Sequence, residues 1–169
     1  AAVGLVLPEL NGKLDGFALR LHGGAPFQAE HFVAEVDELA TAAEPQAVRL
    51  GPYRRDELPA LMAAVDWVVM PSIWWENAPL VIQEAFRHRR PVIASGIGGM
   101  AEMVRDGVDG LLVRPDDPSA LASAMRAAAE TPGLWEKLVE GIVAPPEIGE
   151  VADRHIALYS RGGRMADAA

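Results

Sequence analysis

The run Met70-Pro71-Ser72-Ile73-Trp74-Trp75-Glu76-Asn77-Ala78-Pro79-Leu80-Val81-Ile82-Gln83-Glu84-Ala85-Phe86 joins a strand to a helix, and the rest of the chain repeats that alternation. Asp66 to Met70 reads as a short buried strand. The helix that follows is expected to take Asn77 as its cap. Pro79 falls in its first turn, where a missing amide hydrogen costs little. Two carboxylates bracket the junction: Glu76 just before the helix and Glu84, eight positions later, inside it.

At about 100° per residue, Leu80, Val81, Ile82, Ala85 and Phe86 sweep out an apolar arc, with Gln83 and Arg87 outside it. Glu84 projects between Leu80 and Val81, at the edge of the surface expected to face the protein. A carboxylate held there needs a hydrogen-bonding partner, because desolvating it alone is costly. Two readings stand side by side: a boundary residue bonded to a neighbouring loop, and a carboxylate facing a ligand pocket.

Working outward, Phe17 to Leu21 alternates like a strand, and His22-Gly23-Gly24 turns out of its end. Pro26 to Ala43 is helical in composition, with Phe27, Phe32, Val33, Val36 and Leu39 on one side. Ala47 to Leu50 is a second strand. Gly51-Pro52-Tyr53-Arg54-Arg55 follows as a loop leading to a helix capped by Asp56. Beyond the central run, Pro91 to Ala94 reads as a buried strand and Gly110 to Val113 as the last one. Helices are expected over 120–130, started by Asp117-Pro118-Ser119, over 132–140 and over 147–160, the final one fraying at Arg161-Gly162-Gly163; a further helical piece is expected over Ala1 to Leu10. Strands alternating with helices imply an α/β fold, a parallel sheet covered on both faces. Ligands of such sheets bind outside the carboxyl ends of the strands. The loops at 22–24, 51–54, 71–79 and 95–99 all occupy that edge.

Ser95-Gly96-Ile97-Gly98-Gly99 is a second glycine-rich loop leading into a helix, an arrangement that receives anions. Its spacing does not fit the Gly-x-Gly-x-x-Gly of a dinucleotide fingerprint, which excludes a dehydrogenase. Trp74 and Trp75 are large apolar groups on a loop. They are expected to wall a pocket or meet a partner domain, with one of the two in the core.

The chain of 169 residues is sized for one domain. With 24 acidic against 15 basic side chains the formal charge is −9, which argues against nucleic acid and anionic lipid as partners. No apolar run approaches the roughly 18 residues that span a bilayer. There is no cysteine, hence no disulfide framework, and the four histidines form no metal-ligand cluster. A cytoplasmic protein is the simplest fit.

The strand, Pro71-Ser72, the aromatics, Glu76-Asn77-x-Pro79-Leu80 and the second glutamate together resemble the donor-site signature of retaining GT-B glycosyltransferases, glycosyl transferases group 1. These build bacterial polysaccharides and glycolipids. The resemblance continues through Arg90-Pro91-Val92-Ile93-Ala94-Ser95, Gly98 to Val104, Asp106 to Val113 and Pro115-Asp116-Asp117, roughly half the chain. It implies a single Rossmann-like donor-binding domain over 1–169, one half of a GT-B fold, with the N-terminal acceptor domain absent. The family's central strand and basic Arg…Lys-Gly segment are not found before the first helical piece, so the sheet is expected to lack its first strand.

By the same resemblance Glu84 holds the ribose hydroxyls, while Glu76 lies by the hexose and stabilises charge at the anomeric carbon. The amides of Asn77, Ala78 and Leu80 meet hexose or phosphate; Pro79 sits among them without an amide of its own. Gly23 and Gly24 face the donor, and Tyr53 and Arg54 lie by the nucleobase. No metal and no cofactor is implied, only a UDP-, GDP- or ADP-sugar. The acceptor is a saccharide or lipid, reached through the absent domain, at the inner face of the membrane. The isolated fragment is expected to bind without turnover. Two other readings carry less: a non-catalytic GT-B-like module that docks a partner or has lost its donor site, and an epimerase or phosphorylase relative. The usual acidic and histidine pattern of the epimerases, and a lysine placed for pyridoxal phosphate, are not found.

Overall fold

The computed structural model describes residues 18–24 and 29–166. The helical piece expected over Ala1 to Leu10 lies outside them, as do Phe17 and Phe27. The elements run β1 (Leu19–His22), α1 (Glu30–Ala42), β2 (Ala47–Gly51), a 3-10 turn (Arg55–Glu57), α2 (Leu58–Ala63), β3 (Val68–Met70) and α3 (Leu80–Arg87). Then come β4 (Val92–Ser95), α4 (Gly98–Met103), β5 (Gly110–Val113), α5 (Pro118–Glu130), α6 (Leu134–Gly141) and α7 (Ile148–Ala166). Every strand pairing is parallel, as the alternation requires.

The strands form two ladders rather than one continuous sheet: β1–β2, and β3–β4–β5. Among the described residues no strand joins β1 to β3. Side chains still connect the two ladders, since Leu19 of β1 packs against the buried cluster that holds Ile93 of β4 and Val113 of β5. The Arg20 guanidinium also donates to the Ala64 carbonyl, at 3.2 Å.

β4 is buried throughout, and the period of two along a strand divides its side chains between two cores. Ile93 joins Val113, Leu121, Ala122 and Met125 on the face covered by α5. Val92 and Ala94 join Ile82, Ala85, Phe86, Met100, Val104 and Ile142 on the face covered by α3 and α4. Ile82 and Met100 are fully buried, each contributing about 1.5–3 kcal/mol through removal of apolar area from water. β3 is only partly buried. The strand expected within Asp66 to Met70 is thus found over Val68–Met70, but half-buried rather than buried, its ladder with β4 covering one edge.

α5 begins at Pro118, within the expected Asp117-Pro118-Ser119 start, and the Asp117 side chain caps it, accepting from the Ala120 amide at 2.9 Å. Two features depart from the sequence pattern. Asp56 caps nothing; its carboxylate is held by Arg54. α7 continues past Gly162 and Gly163 to Ala166 instead of fraying at Arg161. Its apolar side chains are uncovered, with Ile148, Ile156, Leu158 and Tyr159 all exposed.

Candidate functional site

α3 starts at Leu80. Its N-cap is Pro79, extended at φ −62°, ψ 118° and buried, with no side-chain cap bond. Asn77 is therefore not the cap: it lies two residues before it, exposed, with Ala78 beside it. The amides of Asn77, Ala78 and Leu80 make no hydrogen bond with a described residue, so this end of the helix presents donors, with the positive end of its dipole behind them.

Glu76 and Glu84 are both half-buried, and neither carboxylate has a hydrogen-bond or ion-pair partner among the described residues. The boundary reading, Glu84 bonded to a neighbouring loop, finds no such bond there. Leu80 departs from its expected place on the inner arc and is 70% exposed. Trp74 is 73% and Trp75 70% exposed; neither is core, so the expectation that one of them packs inside is wrong.

The loop carrying these groups is clamped from behind. The Gly99 amide donates to the Glu76 carbonyl at 2.6 Å, the Trp74 amide to the Ser72 hydroxyl at 3.1 Å, and the Glu76 amide to the Trp74 carbonyl at 3.0 Å. A Cβ on Gly99 would sit 1.9 Å from the Asn77 carbonyl oxygen, and one on Gly98 would sit 3.0 Å from that of Glu76. Gly98 also adopts φ +53°, in the left-handed region. The glycine pair read as an anion-receiving turn is thus required for close approach to the protein's own backbone.

A second group of candidates stands at the ends of β1 and β2. The Gly23 amide donates to the Gly51 carbonyl at 2.9 Å, and a Cβ on Gly23 would meet open space. His22 meets Tyr53 edge to face, ring centroids 5.7 Å apart. Gly24, Tyr53 and Arg54 are exposed. Arg54 is engaged on both sides. Its guanidinium donates to both oxygens of Asp56 at 2.9 Å, and its amide to Glu57 Oε2 at 2.6 Å. That pairing raises the arginine's already high pKa and holds the Asp56 carboxyl below the usual carboxylate range. A group so matched has little free charge to offer an anion.

The structure thus brings Glu76, Asn77, Ala78, Pro79, Leu80 and Glu84 together around one helix start, and His22, Gly23, Gly51 and Tyr53 around another edge. No hydrogen bond, ion pair or ring contact joins the two groups among the described residues. No cluster of three or more His, Asp or Glu able to hold a metal occurs among those residues. His22 as the partner of Tyr53 was not visible in the sequence, where His22 ends β1 and Tyr53 lies in the loop after β2.

The model of the family described as glycosyl transferases group 1 matches residues 3–131. The chain belongs to the glycosyl transferases group 1 family. Among this family's curated members, a D-inositol 3-phosphate glycosyltransferase of Salinispora arenicola is 39% identical over 92 residues, 54% of this chain and 20% of that protein. The stretch matched is thus about a fifth of the relative's length. Among solved structures, Anabaena HepE, crystallised with UDP and glucose and with UDP-glucose, superposes at a TM-score of 0.73 and 28% identity. That match covers 82% of this chain and 38% of HepE. The C-terminal domain of the group 1 protein LpcC from Francisella tularensis shares the fold at a TM-score of 0.72 and 22% identity, over 82% of this chain and 72% of that one. This glycosyl transferases group 1 chain therefore has the architecture of part of a GT-B glycosyltransferase, with parallel strands flanked by helices.

Proposed function

We propose that this domain binds a nucleotide-diphosphate sugar at the start of α3. Within a longer two-domain enzyme it would serve retaining, metal-independent transfer of a hexosyl group to a saccharide or lipid acceptor, on the cytoplasmic side. The observation that carries this reading is the pair of half-buried carboxylates, Glu76 and Glu84, without partners among the described residues, on either side of the open amides of Asn77, Ala78 and Leu80. HepE, which shares this part of its fold, was crystallised with UDP-glucose.

In this arrangement Glu84 accepts from the two ribose hydroxyls, a task suited to a group with two acceptor oxygens. The amides at the helix start hold the diphosphate. Glu76 accepts from hexose hydroxyls and stabilises the positive charge that develops at the anomeric carbon. That carbon's bond to the diphosphate oxygen breaks, the acceptor hydroxyl oxygen takes its place, and the acceptor's proton leaves with the nucleoside diphosphate. The acceptor is held by the rest of the longer protein, so the chain alone binds without turnover.

The test is calorimetric titration with UDP, GDP and ADP and with their glucose conjugates. One nucleotide should bind saturably, with a further gain from its sugar. Glu84→Gln should weaken that nucleotide by about 1.5–3 kcal/mol, the worth of a charge-assisted hydrogen bond. Equal affinity in variant and parent removes the ribose role; no binding to any of the six removes the donor reading.

A further inference from the structure

Among the described residues, α7 leaves the body almost without packing. From Ile148 to Ser160 only Val151 is even half-buried, and Ile148, Ile156, Leu158 and Tyr159 stand in water. Side-chain packing therefore does not set the direction of this helix; its root must. The root is the strap 142–147, between the end of α6 at Gly141 and the start of α7.

Three guanidinium groups grip this segment, all through backbone carbonyls. Arg105 donates to the Gly141 carbonyl at 2.6 Å, Arg89 to that of Ile142 at 3.0 Å and Arg87 to that of Pro146 at 3.3 Å. Arg87 Nε also lies 3.8 Å from Glu147 Oε1, and the Val151 amide of α7 donates to the Glu147 carbonyl at 3.1 Å. Carbonyls at the end of α6 lack partners within the helix and carry the negative end of its dipole, so cations are favoured there. Beneath them Ile142 is 4% exposed, and a Cβ on Gly141 would lie 1.9 Å from the Val108 carbonyl oxygen. The strap is fastened at both ends.

Arg89 is the decisive member. α3 closes in a turn where the Arg89 amide donates to the Phe86 carbonyl at 3.0 Å and the Arg90 amide to that of Ala85 at 2.8 Å. Arg89 itself takes φ +58°, a position that glycine usually fills because a Cβ is strained there. A chain needing only the turn is better served by glycine; here an arginine bears the strain, and its side chain reaches the strap. We propose that Arg87, Arg89 and Arg105 form a latch that locks the strap to α3 and to the turn between α4 and β5. This latch, rather than packing, fixes the direction in which α7 projects, and its release frees α7 as a unit while the body stays folded.

The chain has no cysteine, so spin labels on Ser123→Cys in α5 and Ala157→Cys in α7, both exposed positions, read that direction as a distance distribution by double electron–electron resonance. The labelled parent should give one narrow distance. Arg89→Gly relaxes the turn but removes the middle grip, so the distribution should broaden, and most in R87A/R89G. The Ile142 amide, bonded to the Val139 carbonyl, should exchange its hydrogen about ten- to hundredfold faster in Arg89→Gly, the worth of one bond to a charged group. Amides of β4 and the urea midpoint should stay at the parent's values, and Arg89→Lys, which keeps a donor, should recover part of the protection. Arg105 is left in place, because its loss would strand the buried Asp109 carboxylate and threaten the body itself. A distribution in R87A/R89G as narrow as the parent's overturns the latch, as does a parent distribution already broad. Exchange that quickens equally in β4 also overturns it, since the arginines would then stabilise the whole fold rather than the strap.

Discussion

Gly99→Ala asks whether the donor loop is held by backbone-on-backbone contact. The added Cβ would lie 1.9 Å from the Asn77 carbonyl oxygen, 2.5 Å from its carbon and 2.7 Å from the Glu76 carbonyl oxygen. An ordinary carbon–oxygen contact is about 3.3–3.6 Å, so the two segments must part by about 1.5 Å. None of the three atoms is a flexible side-chain end that could swing away. Overpacking of this kind costs about 1–3 kcal/mol, and separating the segments also stretches the 2.6 Å bond from the Gly99 amide to Glu76, worth about 0.5–1.5 kcal/mol. The expected loss is about 2–4 kcal/mol. At a urea dependence of about 2 kcal/mol per molar, the unfolding midpoint should fall by about 1–2 M. Because the displaced residues are Glu76 and Asn77, sugar-dependent donor binding should fall in the same variant. Gly96→Ala is the control: its Cβ would meet Val113 and Leu112 at 3.4 and 3.8 Å, and its midpoint should stay near the parent's. Coincident midpoints for the two variants would refute the reasoning, since glycine would then be needed at neither position for close approach.

Two further predictions concern ion pairs of opposite character. Asp109 is only 3% exposed and accepts from the Arg105 amide and from Arg105 Nε, both at 2.7 Å. Asp109→Ala should destabilise by about 2–3 kcal/mol, the range for charge-assisted bonds with one wet partner, and a urea midpoint equal to the parent's would contradict it. The Arg54–Asp56 pair is fully exposed, so its contribution should be slight. The Asp56 carboxyl is depressed in the folded chain, so its contribution is present above the unfolded aspartate value of about 3.9 and lost as pH falls through the lower folded value. Thermal midpoints of Asp56→Asn and the parent should therefore differ, if at all, at neutral pH and converge on acidification below the unfolded aspartate value; a gap that widens on acidification would reverse the sign.

Much of the fold was legible because its signals are local. Ile93 and Ala94 sit in a short apolar run closed by Ser95-Gly96, Gly110 to Val113 in another, and both became strands of the expected type and nearly the expected length. What the sequence hid was set by partners distant along the chain. The Gly98-Gly99 pair looked like a cradle for an anion because nothing local reveals that residue 99 passes against residue 77. Asn77 looked like a cap because its residue type suits one, yet buried Pro79, extended and amide-free, ends the helix without needing a side-chain bond. Leu80 belongs to the inner arc by periodicity and stands in water by structure. Periodicity assumes that each apolar residue serves the core, and around Glu76 that assumption fails four times in succession space: at Ile73, Trp74, Trp75 and Leu80, all exposed. A folded chain that clamps a loop through two glycines and then leaves four large apolar side chains beside a carboxylate with no partner among the described residues has spent its packing elsewhere. The departures from pattern gather at one helix start, and they support the proposed binding site more sharply than any residue that obeyed the pattern.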